Sequence, residues 1–392
     1  MSSIQIIGID GGATKVSAWE VEHSGNTFSL GQAHYAGQYV NDNFFNSGFL
    51  PVNIQKQLAE MNDNTVQLTS SEKDQGEAMV QTFANVIQHI HSGKPVLLGI
   101  GMPGLKTNDK RGIVAMANGP RIPHFCDQLE EEISQMNITL AAPIFQLGSD
   151  ADYCGIGEEY ASSGAFKECQ FGYYLGGGTG AADALKCKGE ILPLDQTKSW
   201  LAKSWEMKTK EGLSLERFAS AGGIQFIYSL KSGISVEKLN REAIYPNQIL
   251  ERAIAGENTA IETLKDVSQT LAKLLYERIE TLFAGWQSPF SFVNPSRAPL
   301  ESSHPYLGNV FDKLIIGQRL GTLMEESKQS IYLWHPFLSY LEMLISSNNK
   351  LDFHTKNHYL KNGIEKMVYI SQLRDAPALG AGVDAFHQFN VS

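Results

Sequence analysis

The chain has four cysteines, Cys126, Cys154, Cys169 and Cys187, in 392 residues, and none stands in a CxxC pair or at ligand spacing from a histidine. That scarcity removes the disulfide framework of small secreted domains and the paired-thiol pattern of a zinc module. Long apolar runs are lacking too, since no stretch approaches the ~20 residues that a membrane-crossing helix needs. The opening MSSIQIIGIDGG has neither a basic leader nor a small-residue cleavage pattern, so a cytoplasmic location with no membrane partner is expected. Excess positive charge is also missing. With 32 Lys and Arg against 42 Asp and Glu, the formal net charge is -10, and no nucleic-acid partner is expected, because a phosphate backbone is bound through clustered cations. Any anionic ligand would have to be held locally, by backbone N–H groups, hydroxyls or a metal ion.

Two nucleotide signatures are set aside on the same grounds. The GxxxxGK[ST] loop is absent. A literal GxGxxG occurs at Gly99, Gly101 and Gly104, but Pro103 and the polar stretch 106–111 offer no helix N-terminus for a pyrophosphate, and no acid waits ~20 residues further on.

What is present is a folded, well-packed composition, 42% hydrophobic and 19% charged with 36 Gly and 14 Pro. The length exceeds the ~250 to 300 residues at which one core stops growing, so two domains are expected. Residues 4–9 form a β-branched run that ends at Asp10, turns through Gly11 and Gly12, and resumes as a strand at 15–21. The same pattern returns as a strand at 171–175, the turn Gly176-Gly177-Gly178-Thr179-Gly180, and a strand at 181–186. Between them the periodicity predicts loops and one amphipathic segment near 52–61 over residues 22–75, a helix over 76–91, and strands at 95–100 and 144–147. A helix is expected over 151–160, directly after Ser149-Asp150. Beyond Glu216 the chain reads as mainly helical, with long runs at 259–283 and 376–389, a strand at 313–316 and an exposed insertion at 287–305.

Two Gly-rich turns carrying Thr suit a nucleotide triphosphate, because bare backbone N–H groups and a hydroxyl can face phosphate oxygens where no side chain intervenes. Either turn alone would equally serve as an ordinary hairpin. Transfer of a phosphoryl group to a hydroxyl needs a base within hydrogen-bond reach of that hydroxyl. Asp150, at a strand end between the two turns, is the candidate; capping of the following helix is the alternative role for the same residue.

Taken in order, GIDGGATK (8–15), GIGMPG (99–104), GSDADYCGIGE (148–158), GGGTGAADALKCKGEI (176–191), LSLERFASAGGI (213–224), IIGQRLG (315–321) and DAPALGAG (375–382) resemble the ROK family of sugar kinases and sugar-responsive repressors across nearly the whole chain. The resemblance implies an α/β, two-lobed actin/hexokinase-like (ribonuclease H-like) fold with a nucleotide cleft, divided as 1–147 plus 377–392 and 148–376. It implies ATP and Mg²⁺ as cofactors, with Asp10, Gly11, Gly12, Thr14, Lys15, Gly178, Thr179 and Gly180 around the phosphates and Gly317 and Gly321 on the adenosine side. Asp150 would be the catalytic base. Gly104, Asn118, Ser149, Asp150, Glu206 and Glu216 would meet the sugar, with Ser149 standing where the family usually has Asn.

The family's ExGH and CxCGxxGC zinc-binding pattern has no counterpart, since residues 205–212 hold neither His nor Cys and the His position reads Thr209. A chain without structural zinc and with a remodelled sugar pocket is expected. The phosphate turn lies so close to Met1 that the winged-helix repressor branch is not expected. The expectation is therefore a kinase acting on a hexose or N-acetylhexosamine-like sugar, a homodimer being the assembly considered. A non-catalytic sugar or nucleotide sensor is the rival, and a phosphotransferase for an acyl or polyol acceptor a further one.

Overall fold

The computed structural model describes residues 4–391. The chain divides into two compact units: one runs to Ser162 and takes the chain up again from Asp375, the other is Ser163–Arg374.

The first unit is built on a five-stranded sheet of β1 (Gln5–Gly11), β2 (Lys15–Ser24), β3 (Thr27–Gln38), β4 (Val96–Gly101) and β5 (Leu147–Gly148), in the order β3-β2-β1-β4-β5. β1, β2 and β3 form an antiparallel meander, and β4 and β5 add in parallel on the far side of β1. The expected β1–β2 hairpin is present. β3 falls in a stretch predicted as loops; it is an edge strand that buries Phe28 and Gly31 and exposes most other side chains, so its polar composition hid its pairing. The strand predicted at 144–147 shrinks to Leu147–Gly148. Helix Ile54–Asn62 matches the predicted amphipathic segment, and helix Ser70–Ile90 starts earlier than predicted. Its start is set by a capping box, in which the Thr69 hydroxyl accepts from the Glu72 N–H and the Glu72 carboxylate accepts from the Thr69 N–H.

The second unit repeats this plan. Its sheet contains β6 (Gly172–Gly177), β7 (Ala181–Cys187), β8 (Glu190–Leu192), β9 (Lys313–Gly317) and β10 (Val368–Ile370), in the order β8-β7-β6-β9-β10. β6–β8 are antiparallel, and β9 and β10 add in parallel. The Gly-rich turn 11–15 and the Gly-rich turn 177–181 therefore occupy the same place in two copies of one topology, as do Gly101–Gly104 and Gly317–Gly321 after the first parallel strand. The long helix Asn258–Ala284 packs on the second sheet, and a polar network joins the two. Asp183 of β7 accepts from the Tyr173 hydroxyl at 2.5 Å and from the Ser204 N–H and hydroxyl, and the fully buried Arg278 lies between Asp183 and Glu277.

The expected break at 147 moves to 162, because helix Asp150–Tyr160 packs along the C-terminal helix Ala376–Val391. Two glycines permit the contact. A Cβ on Gly157 would lie 2.3 Å from the Ala376 carbonyl oxygen, and one on Gly380 would lie 2.0 Å from that of Tyr153.

Candidate active site in the first unit

Strand register assembles the site. Asp10 of β1 is paired with Gly101 of β4, and Gly101 with Gly148 of β5, so three neighbouring parallel strands end side by side and the chain leaves β5 through Ser149 and Asp150. The carboxyl ends of parallel strands are where open α/β sheets bind ligands. Gly101 has to be small here: a Cβ would come within 3.0 Å of the Tyr153 ring and 3.6 Å of the Asp150 Cα. Ser149 takes the N-cap of the following helix, its hydroxyl accepting from the Asp152 N–H. Asp150 is the first helical residue, and its Oδ1 accepts from the Ala151 N–H at 3.0 Å.

Asp10 is held with its carboxyl pushed up to about 7, by burial first and then by the negative charges of Asp150 and Asp375, with Lys15 acting in the opposite sense. Asp375 was quoted in DAPALGAG but given no role; its signal was an acid directly ahead of a helix of small residues. Among the described residues, no group of three or more His, Cys, Asp or Glu has metal-holding geometry.

The turn after β1 differs from expectation in one respect. The Gly12 N–H donates to the Lys15 carbonyl oxygen at 2.8 Å, and the buried Tyr39 hydroxyl sits 3.0 Å from the Gly12 and 3.1 Å from the Lys15 carbonyl oxygens. A tight hairpin satisfies its own backbone, so the Gly12 N–H is not bare. Gly11 is a packing residue whose Cβ would strike Met102 Sδ and the Phe83 ring. The Thr14 and Lys15 side chains, in contrast, are exposed. Tyr39 escaped sequence analysis because its role depends on β3 returning to the turn.

Gly104, with a φ of 91°, closes the turn after β4, and the Lys106 ammonium draws in the carbonyl oxygens of Met102 at 2.6 Å and Gly104 at 2.8 Å. Asn118 is exposed and shares a cavity of about 500 Å³ with Thr14, Lys15 and Tyr39. Asp10 and Asp150 do not line it. The segment carrying Asn118 is anchored by Arg121, whose guanidinium binds Glu72 at 2.7 and 2.8 Å, the Gln67 carbonyl oxygen at 3.0 Å, and Glu60.

The remaining expected residues lie in the second unit. The Gly178 N–H donates to the Gly180 carbonyl oxygen at 2.9 Å, so it too is used within its turn, while Thr179 is exposed. Glu216 accepts from the Ala181 N–H at 3.1 Å and fills the space beside Gly180, which ties it to this turn. Glu206 is ion-paired with Arg297 at 3.0 Å and accepts from the Lys203 N–H. Gly317 ends β9 against Tyr174, and Gly321 lies in helix Gln318–Ser327, close to the Ile316 carbonyl oxygen. All four cysteines are buried and unbridged.

No protein-family model matches the sequence, and a search of curated proteins gives no match. Solved structures do match along the whole chain. A ROK family glucokinase from Streptomyces griseus, in complex with glucose and AMPPNP, has a TM-score of 0.58 at 13% identity, covering 98% of this chain and 99% of that one. The ROK hexokinase of Thermus thermophilus has a TM-score of 0.53 at 13% identity, over 99% and 100%. A ROK family transcriptional regulator, a homolog of E. coli MLC, has a TM-score of 0.52 at 13% identity, with 99% of this chain covering 79% of the regulator. The chain has the fold of the ROK sugar kinases. Among the described residues, no helix is long and apolar enough to cross a membrane.

Proposed function

We propose that this chain is an ATP-dependent carbohydrate kinase that moves the γ-phosphate to a hydroxyl of a hexose or an N-acetylhexosamine-like sugar. The observation that carries the proposal is the placing of Asp10 and Asp150 at the ends of β1 and β5, on either side of β4, one carboxyl beside the Gly-Gly-Ala-Thr-Lys turn and the other at the start of a helix that Ser149 caps.

Phosphoryl transfer is a matter of positioning and charge more than of covalent chemistry by the protein. ATP with Mg²⁺ supplies the transferable group and most of the metal's ligands as phosphate oxygens and water. Thr14 and Lys15 in the turn after β1 offer a hydroxyl and an ammonium to phosphate oxygens, and the exposed Thr179 gives the turn after β6 a hydroxyl of the same kind. Asp10, close to Lys15, holds negative charge or a proton near neutral pH. Asp150 accepts the proton of the attacking sugar hydroxyl and orients its oxygen.

The test is ADP release with ATP and Mg²⁺ across hexoses, N-acetylhexosamines and their epimers. At least one acceptor should raise ADP release well above the rate with water alone. The match to a transcriptional regulator favours a second reading, a non-catalytic sugar or nucleotide sensor. Tight sugar or nucleotide binding with no acceptor-dependent ADP release would establish that reading and remove the kinase.

A further inference from the structure

The turn after β6 is gripped from outside by one later segment of the chain. The Ala181 N–H donates to Glu216 Oε1 at 3.1 Å, and the Gly178 carbonyl oxygen accepts from the Ala221 N–H at 2.9 Å. A Cβ on Gly180 would lie 2.6 Å from the same Glu216 oxygen, so the carboxylate and the turn are in close contact. The position of Glu216 therefore decides where the turn presents its backbone and the exposed Thr179 hydroxyl.

Glu216 is fixed in turn by the loop that leads to it. Its N–H donates to the Ser214 hydroxyl at 3.3 Å, that hydroxyl donates to the Trp205 carbonyl oxygen at 3.0 Å, and the Leu215 N–H donates to the Met207 carbonyl oxygen at 2.9 Å. Residues 205–216 thus close on themselves, and the base of the loop is held by a distant part of the chain. Strand Met207–Lys208 pairs antiparallel with strand Ser291–Phe292, and the Val293 N–H donates to the Glu206 carbonyl oxygen at 2.8 Å. A ladder of two residues on each side, in the mostly exposed segment 287–305, is too short to stand by itself. Arg297 locks it. Its Nε donates to Glu206 Oε1 at 3.0 Å, its Nη2 donates to the Lys198 carbonyl oxygen at 3.2 Å, and its guanidinium lies 4.6 Å from the centre of the Phe292 ring. The Arg297 and Glu206 side chains are 13% and 16% exposed, and the planar fork serves carboxylate, carbonyl and ring together, which an ammonium could not. The other Glu206 oxygen accepts from the Lys203 N–H at 2.8 Å, so both oxygens of this carboxylate are spent on holding the chain.

We propose that segment 287–305 is a strap that sets the nucleotide-binding geometry of the turn after β6, with Arg297 as a positioning residue acting through Glu206, the loop 205–216 and Glu216. The proposal rests on the kinase reading for taking that turn as a phosphate site. It adds that nucleotide affinity is governed by an ion pair on the far side of the loop, between residues that act on the turn and not on the phosphates.

Calorimetric titration of the full chain with ADP and Mg²⁺, joined to amide hydrogen exchange, tests it. Arg297→Ala should weaken ADP binding by about tenfold, the scale of one lost charge-assisted hydrogen bond. It should also speed exchange in peptides covering 177–183 while leaving β9 as protected as in wild type. Arg297→Lys keeps the charge without the fork, should weaken ADP by about threefold, and carries the test if the alanine variant does not fold. Glu216→Ala should weaken ADP about as much as Arg297→Ala, and the two together should lose no more than either alone, because one route is cut at two points. Additive losses would reduce Arg297 to a general stabiliser and overturn the proposal. Unchanged ADP affinity and exchange in a folded Arg297 variant, or no ADP binding by the wild type, would do the same. Because no sugar is present, these results stand apart from the kinase test. ADP binding that depends on Arg297 with no acceptor-dependent ADP release would keep the strap and remove the kinase, whereas sugar phosphorylation with ADP affinity indifferent to Arg297 would do the reverse.

Discussion

Ser149 and Asp150 share the head of helix Asp150–Tyr160: the Ser149 hydroxyl accepts from the Asp152 N–H at 3.4 Å as the N-cap, and Asp150 Oδ1 accepts from the Ala151 N–H at 3.0 Å. The N-cap falls to the serine, and the bond Asp150 makes uses one carboxylate oxygen, Oδ1.

Asp150→Asn keeps size and most hydrogen bonding but cannot take a proton. Loss of a positioned general base costs ~10²- to 10⁴-fold in rate. Turnover should fall by that much while sugar and ATP affinities stay within about an order of magnitude, measured by coupled ADP detection and equilibrium binding. The melting temperature should change little, because the Ser149 cap remains. Near wild-type turnover in a folded variant would show that Asp150 is not the base.

Asp10 makes stability depend on pH. Its folded value, about 7, lies above its ordinary 3.8, because burial and the charges of Asp150 and Asp375 disfavour ionisation. Between those values the folded protein holds a proton that the unfolded chain has lost. Asp10 therefore contributes stability that is fully present below its ordinary pKa and is lost as pH rises through about 7. Asp10→Asn should remove this component and make the ligand-free protein more stable than wild type above pH 7, as thermal melts across pH 4 to 9 would show.

Arg121 is 1% exposed and is bound to Glu72, also 1% exposed. Burial pushes the Glu72 carboxyl up, but hydrogen bonds from Arg121 and Thr69 outweigh it and hold it below the usual range. Arg121→Ala leaves that carboxylate buried without its cation, which should cost about 3 to 5 kcal/mol in denaturant unfolding. Glu72→Gln in the same background should recover part of the loss. If Arg121 acts only at its surface end, with Glu60, the loss will be less than about 1 kcal/mol.

Gly178→Val places a side chain in the turn after β6, where the nearest obstacle to a Cβ is Gln318 Oε1 at 3.1 Å, the end of a flexible side chain. The variant should fold. Its branched side chain should raise the KM for ATP far more than it changes sugar binding. An unchanged KM for ATP would move the phosphates away from this turn.

Sequence alone determined the features that depend on neighbours along the chain. The β1–β2 and β6–β7 hairpins, the Ser149-Asp150 junction and the long helix ending at Ala284 were legible because β-branched runs, glycine turns and helical periodicity are local signals. The resemblance to a kinase family likewise came from short motifs in a set order. Tertiary structure decided the rest. β3 was hidden because an edge strand needs only one apolar face. Residues 150–160 joined the first unit because Gly157 and Gly380 let two helices touch, a contact made across most of the chain length. The charge that Asp150 and Asp375 impose on Asp10, and the reach of the Tyr39 hydroxyl to the turn after β1, arise between residues brought together by folding, so no spacing in the sequence could announce them.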